Sequence, residues 1–96
     1  MKLEIVLTPR AKDTLVSITS FILQKWGEKP AHKFVKRTYS VLYTISEQPY
    51  IYKVYQTKNV RKGLITKHTS VIYRVLDERI EVLFFWDNRQ EPITPY

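Results

Sequence analysis

The hydrophobic period of this chain changes once, and that change decides what it can fold into. Ala11, Leu15, Ile18, Ile22 and Trp26 recur at helical spacing, as do Ala31, Phe34, Thr38, Leu42 and Ile45. Thr8-Pro9 predicts the start of the first helix, with Thr8 as N-cap and Pro9 at the first helical position, where a missing N–H costs nothing. Gly27 predicts its end, in a left-handed cap, and Pro30 opens a second helix packed antiparallel to the first. Pro49 closes the helical part, and residues 50–59 read as irregular or weakly extended. Beyond them the period is two. Val60 to Thr66 predicts a strand, Lys67-His68 a turn, Thr69 to Leu76 the return strand, Asp77-Glu78-Arg79 a second turn, and Ile80 to Trp86 the last strand. Ahead of the helices, Leu3, Ile5 and Leu7 alternate along a first strand, Lys2 to Leu7.

The segments VIYRVL and IEVLFFW are nearly apolar on both faces and rich in β-branched and aromatic residues. Such strands lie centrally in a sheet and need cover on each side. The expected fold class is therefore α+β. An N-terminal strand is followed by a two-helix antiparallel hairpin packed on one face of a twisted sheet, which a C-terminal three-stranded antiparallel meander completes. The face away from the helices has few polar residues and is an expected binding surface. Ninety-six residues suit a single domain, 1–96, with one modest core. No cysteine is present, so neither a disulfide frame nor a thiolate metal site is available, and a cytoplasmic location is expected. The N-terminus lacks an apolar signal-peptide core, and no apolar run reaches the roughly 20 residues of a membrane span, so no membrane partner is expected.

The formal charge of +7 is unevenly spread. From Gln48 to Leu76 there are six basic residues and no acidic one, with Tyr50, Tyr52, Tyr55 and Tyr73 interleaved. A surface of this kind suits a polyanion or an acidic partner, and a solvated face with no partner is the plainer alternative. His32 and His68 lack an HxxxH spacing or a neighbouring acidic cluster, so no metal is expected. Gly27 and Gly63 stand alone, so there is no phosphate-cradling loop, and no cofactor is implied.

Arg61 and Lys62 on one strand, Lys67 and His68 in its turn, and Arg89 after the last strand are expected to converge along one edge of the sheet. Clustered cations of this kind neutralise phosphates and stabilise the extra charge of a phosphorane. Cleavage by a 2′-hydroxyl would also need a base and an acid. His68 is the candidate for either role, as an imidazole in the cluster, although a lone histidine in a polar turn is also what a merely exposed residue looks like. Tyr96, or a tyrosine of the 50–55 segment, can stack a base or donate a proton, or can equally be packing. Trp86-Asp87-Asn88-Arg89 ends a bulky apolar strand in polar residues that can aim Arg89, or can simply pair it with Asp87.

These residues resemble the RelE/ParE toxins of bacterial type II toxin–antitoxin modules. The likeness covers nearly the whole chain and is most specific in VIYRVLDERIEVLFFWDNRQEP, Val71 to Pro92. Membership would imply a small basic cytosolic protein held inactive by a cognate antitoxin, with no small-molecule cofactor. RelE-like members cut mRNA on the ribosome without a metal, using Arg, Lys and Tyr or His side chains. ParE-like members share the fold, inhibit DNA gyrase and lack that set. The RelE-like ribonuclease is the leading expectation, with a ParE-like gyrase inhibitor or a degenerate inactive toxin as alternatives. On the RelE pattern Arg89, His68 and Tyr96 would be catalytic, while Arg61, Lys62, Lys67 and Lys53 would hold RNA phosphates. Tyr96 is one residue out of step with the family's tyrosine. Ser70 stands where RelE-like members place an arginine, and a serine cannot supply that charge.

Overall fold

The computed structural model describes residues 2–55 and 59–89. Its elements, in chain order, are β1 (Glu4–Leu7), α1 (Pro9–Trp26), α2 (Glu28–Glu47), β2 (Val60–Thr66), β3 (Thr69–Val75) and β4 (Arg79–Asp87). The four strands form one sheet in the order β1-β4-β3-β2. The meander is antiparallel, and β1 closes the sheet by pairing in parallel with β4, Glu4 opposite Arg79 and Leu7 opposite Val82.

Thr8 accepts the Ala11 N–H on its side-chain oxygen at 3.0 Å, with Pro9 next to it at the helix start. The same hydroxyl donates to the Leu83 carbonyl at 2.8 Å. Farther along α1, the Thr14 hydroxyl oxygen accepts the Phe85 N–H at 2.9 Å. β1 stops opposite Val82, so beyond that point the backbone of β4 has lost its neighbour on this side. The two threonines supply the missing partners, which a buried peptide group requires. Ala11, fully buried, lets the helix approach this closely.

Gly27 joins the helices at φ +94° and ψ −174°, with its N–H donating to the Leu23 carbonyl at 2.9 Å. The expected positive φ is present, but ψ is extended rather than left-handed helical, so the chain turns within one residue. As a result α2 begins at Glu28, and Pro30 lies inside its first turn rather than opening it. The expected stripe of Ala31, Phe34, Thr38, Leu42 and Ile45 is buried. The α1 stripe is only partly buried from Leu15 to Ile22, and Trp26 is half exposed.

Between helices and sheet, Phe34, Ile45, Ile65, Val71, Tyr73 and Phe85 form the centre of the main core. The register shifts between Ile72 and Tyr73, which face Phe84 and Val82, so Leu83 is an extra residue in β4. This bulge turns Leu83 and Phe84 to the same side, where they cluster with Val60 and Ile72. The expectation of an open apolar face is corrected here, because these four residues are each at most 4% exposed. The Arg10 guanidinium lies 4.1 Å from the centre of the Phe84 ring, and Trp86 meets that ring edge-on at 6.4 Å. Among the described residues no helix is long and apolar enough to cross a membrane.

Candidate functional site

A groove of about 620 Å³ opens between α1, α2 and the β2–β3 turn. Its floor is apolar, with Ile18, Ile22, Phe34 and Ile65, and its rim carries the cations Lys33, Arg37, Lys67 and Arg89 beside His68. Lys67 and His68 reach it because they form the tight turn between two paired strands. Arg37 is held in place by a hydrogen bond from its Nε to the Ile65 carbonyl at 3.0 Å. That bond aims the remaining guanidinium nitrogens along the rim and also covers part of the outer edge of β2.

Arg89 is brought to the groove by a small clamp. The buried Ser70 hydroxyl donates to Asn88 Oδ1 at 2.8 Å, and the Asn88 N–H donates to the His68 carbonyl at 2.7 Å. The residue after Asn88 therefore emerges beside the turn. Asp87 then takes hold of Arg89. Nε and Nη2 donate to the two carboxylate oxygens at 3.0 Å each, and the Arg89 N–H adds a third bond at 2.9 Å. This guanidinium holds the Asp87 carboxyl below the usual carboxylate range, with the nearby His68 adding to the effect. In return, Asp87 pushes the Arg89 pKa further up. Arg89, an exposed cation of the rim, already carries a counter-ion. A bidentate pair of this kind has its hydrogen-bonding directions largely filled.

The expected convergence of cations is thus partial. Arg89, Lys67 and His68 share the groove. Arg61 does not join them, because it lies at the opposite end of β2, six residues or roughly 20 Å of strand from Lys67. Its Nη1 donates to the Tyr52 carbonyl at 2.7 Å, and its guanidinium lies 4.9 Å from the Tyr50 ring centre. Lys62 is on the other face of the sheet, opposite Ile72, with its ammonium 5.2 Å from the Tyr55 ring centre. The reason is the strand's period of two, which sends neighbours 61 and 62 to opposite sides. Lys53 is exposed, in a segment whose backbone bonds to the first half of β2. Tyr96 lies outside the described residues. Among the described residues no group of three or more His, Cys, Asp or Glu could hold a metal ion.

Lys33 and Arg37 were not anticipated as site residues. They stand four apart on α2, flanking the buried Phe34 and Thr38. A cation beside an apolar helix stripe is a usable signal, since it must lie at the margin of whatever the stripe covers.

The family model of the ParE toxin of type II toxin–antitoxin systems, parDE, matches residues 5–92. The chain belongs to the ParE toxin family. Its fold is also that of solved relatives. A chromosomal ParDE toxin–antitoxin structure from P. aeruginosa superposes with a TM-score of 0.77 at 17% identity, covering 90% of this chain and 96% of that one. A YoeB/ParE toxin from Agrobacterium tumefaciens gives 0.66 at 15% identity, over 88% and 98%. The RelBE2 toxin–antitoxin complex of Mycobacterium tuberculosis gives 0.65 at 13% identity, over 91% and 99%. A search of curated proteins by sequence found no match. At these identities the structures attest the ParE/RelE fold, and the family match identifies the chain as a toxin of this type.

Proposed function

We propose that this ParE-family toxin acts by binding a protein target, DNA gyrase, rather than by cutting mRNA. The carrying observation is the bidentate Asp87–Arg89 pair. In a ribonuclease of this fold that arginine would neutralise developing phosphate charge, and here it is already neutralised within its own loop. Ser70 supports the same reading. It stands where RelE-like toxins have an arginine, and its hydroxyl is engaged in the Asn88 clamp. Arg61 and Lys62 supply no second phosphate site beside Arg89, for the geometric reasons given above.

A cognate antitoxin is the expected partner. The groove suits an amphipathic acidic segment, with Phe34, Ile22 and Ile65 for its apolar side chains and the rim for its carboxylates. Purified chain should inhibit gyrase-catalysed supercoiling, and adding the antitoxin should relieve that inhibition. One specific observation favours a second reading: Lys67, His68, Arg37 and Arg89 share one groove, as a metal-independent ribonuclease acting on ribosome-bound mRNA would need. Primer extension on an mRNA translated with and without the chain separates the two. Ribosome-dependent cuts that vanish in Arg89→Ala, with supercoiling unaffected, would overturn the gyrase reading.

A further inference from the structure

The first ten residues of α2 carry Lys29, Lys33, Lys36 and Arg37 as well as His32, against the single acid Glu28. Lys29, Lys33 and Lys36 follow each other at intervals of four and three, so they form one stripe on the face turned away from Ala31, Phe34 and Thr38. The stripe is electrostatically unfavourable to its own helix. Like charges at these spacings repel, and Lys29 sits in the first turn, at the positive end of the helix dipole. No carboxylate forms an ion pair with it among the described residues, although Glu28 lines the same recess. Among the described residues the ion pairs are Arg74–Glu81 and Arg89–Asp87, both elsewhere. An arrangement that works against local stability without an internal partner marks a surface kept for an external one.

The occupant is indicated by what surrounds the lysines. Lys29, His32, Lys33 and Lys36 line a recess together with Glu28 and Leu23, the one apolar residue among them. The nearby groove offers a protein partner Ile18, Ile22, Phe34 and Ile65, and this recess a single leucine. Flexible ammonium groups on a convex helix suit an evenly spaced row of point anions, which is what a phosphate backbone presents. From Lys29 to Lys36 the helix rises about 10 Å, enough for contacts with several phosphates of one duplex. Lys33 also lines the groove, which joins the stripe to the Arg37, Lys67 and Arg89 rim.

We infer that the Lys29–Lys33–Lys36 face of α2 binds the phosphate backbone of double-stranded DNA without sequence preference. The inference deepens the gyrase reading and rests on it for its biological setting. A toxin with this face holds the DNA on which its target works.

The test is fluorescence anisotropy of a labelled 20-base-pair duplex titrated with the chain at several salt concentrations. Binding should weaken steeply with salt, and each phosphate-bound lysine contributes about 0.9 to the slope of log K against log salt. K29Q/K33Q/K36Q should therefore lower the magnitude of the slope by roughly 2 to 3, with a melting temperature no lower than that of the parent. K29R/K33R/K36R should keep the slope. The inference is overturned by an undetectable duplex signal at low salt, or by an unchanged slope in the glutamine variant. It is equally overturned if polyglutamate binds through these three lysines and the duplex does not. Supercoiling inhibition by the parent chain is scored separately. Duplex binding without inhibition removes the gyrase reading and leaves the DNA-binding face standing. Inhibition without duplex binding removes only the face.

Discussion

Gly63 lies inside β2 in an ordinary extended conformation, so the reason for glycine there is space, and Gly63→Ala measures it. An added Cβ would stand 2.8 Å from Cδ2, 2.9 Å from Cε2 and 3.1 Å from Cγ of Tyr52. Carbon atoms in contact prefer about 3.5 to 4.0 Å, so the ring would have to retreat by roughly 0.7 to 1 Å. It is poorly placed to do so. The Tyr52 carbonyl is held by Arg61 at 2.7 Å, the next carbonyl, of Lys53, accepts from Lys62 at 3.3 Å, and Val54 bridges to Arg61. Overpacking of this sort costs about 1–3 kcal/mol, offset by about 0.4–1 kcal/mol from the lost freedom of glycine in the unfolded chain. The net loss expected is about 1–2 kcal/mol, which lowers the melting temperature by roughly 5–15 °C in a domain of this size. Urea unfolding of the parent, Gly63→Ala, Tyr52→Ala and the double variant reads the coupling directly. Once the ring is gone, Gly63→Ala should be neutral or slightly stabilising. The reasoning fails if Gly63→Ala costs nothing, or costs the same with and without Tyr52.

Tyr73→Phe deletes a buried hydroxyl that donates to the Pro49 carbonyl at 2.9 Å, and should cost about 1 kcal/mol by urea unfolding. Burial pushes this phenol up to about 12, so its stabilisation is complete below the unfolded value near 10 and fades as pH rises from there to the folded value. The parent should therefore lose stability in that alkaline window, and Tyr73→Phe should lose less. For Asp87→Asn the sign is opposite. The native carboxyl is depressed by Arg89, so its stabilisation is present above the ordinary carboxylate value near 4 and is lost as pH falls toward the folded value. Urea midpoints of parent and variant should differ at pH 7 and converge in acid. Asn88→Ala strands the fully buried Ser70 hydroxyl and should cost about 1–3 kcal/mol, more than Ser70→Ala, with the double variant less damaging than the sum.

What could be read from the residues was whatever a local period encodes. The α2 stripe, the Thr8 cap, the three strands of the meander and the Lys67-His68 turn all follow from spacing, and the structure places them where spacing puts them. The parallel pairing of β1 with β4 is different. Leu3, Ile5 and Leu7 indicate one buried face of a strand, but alternation carries no information about which strand lies beside it. The bulge at Leu83 was also invisible, because in an apolar run such as VLFF an extra residue leaves no break in the pattern. Equally unreadable was the cover of the expected open face, where Arg10 and Trp86 pack on Phe84. The basic cluster failed for a simpler reason. Adjacent cations on a strand look like one patch in a linear reading and are separated by the sheet itself.

Ser70 and Arg89 are better understood together than apart. Residue 70 faces the side of the sheet that carries Lys62 and Ile72, whereas Thr69 and Arg89 line the groove. With serine there, the short side chain is buried and reaches Asn88. Asn88 in turn ties the end of β4 to the carbonyls of the β2–β3 turn, at 2.7 Å to His68 and 3.4 Å to Lys67. The loop this creates is tight enough for Asp87 to fold onto Arg89 through both side chain and backbone. On the gyrase reading proposed above, a serine at position 70 thus coincides with a loop in which Arg89 is paired. Ser70→Arg would break the clamp but leave Asp87 free to hold Arg89 unless that carboxylate were also neutralised. The combined variant Ser70→Arg with Asp87→Asn is therefore the one in which ribosome-dependent cleavage should first be sought. Cleavage by the parent chain with Ser70 and Asp87 in place would refute the reading that a paired Arg89 cannot serve a ribonuclease.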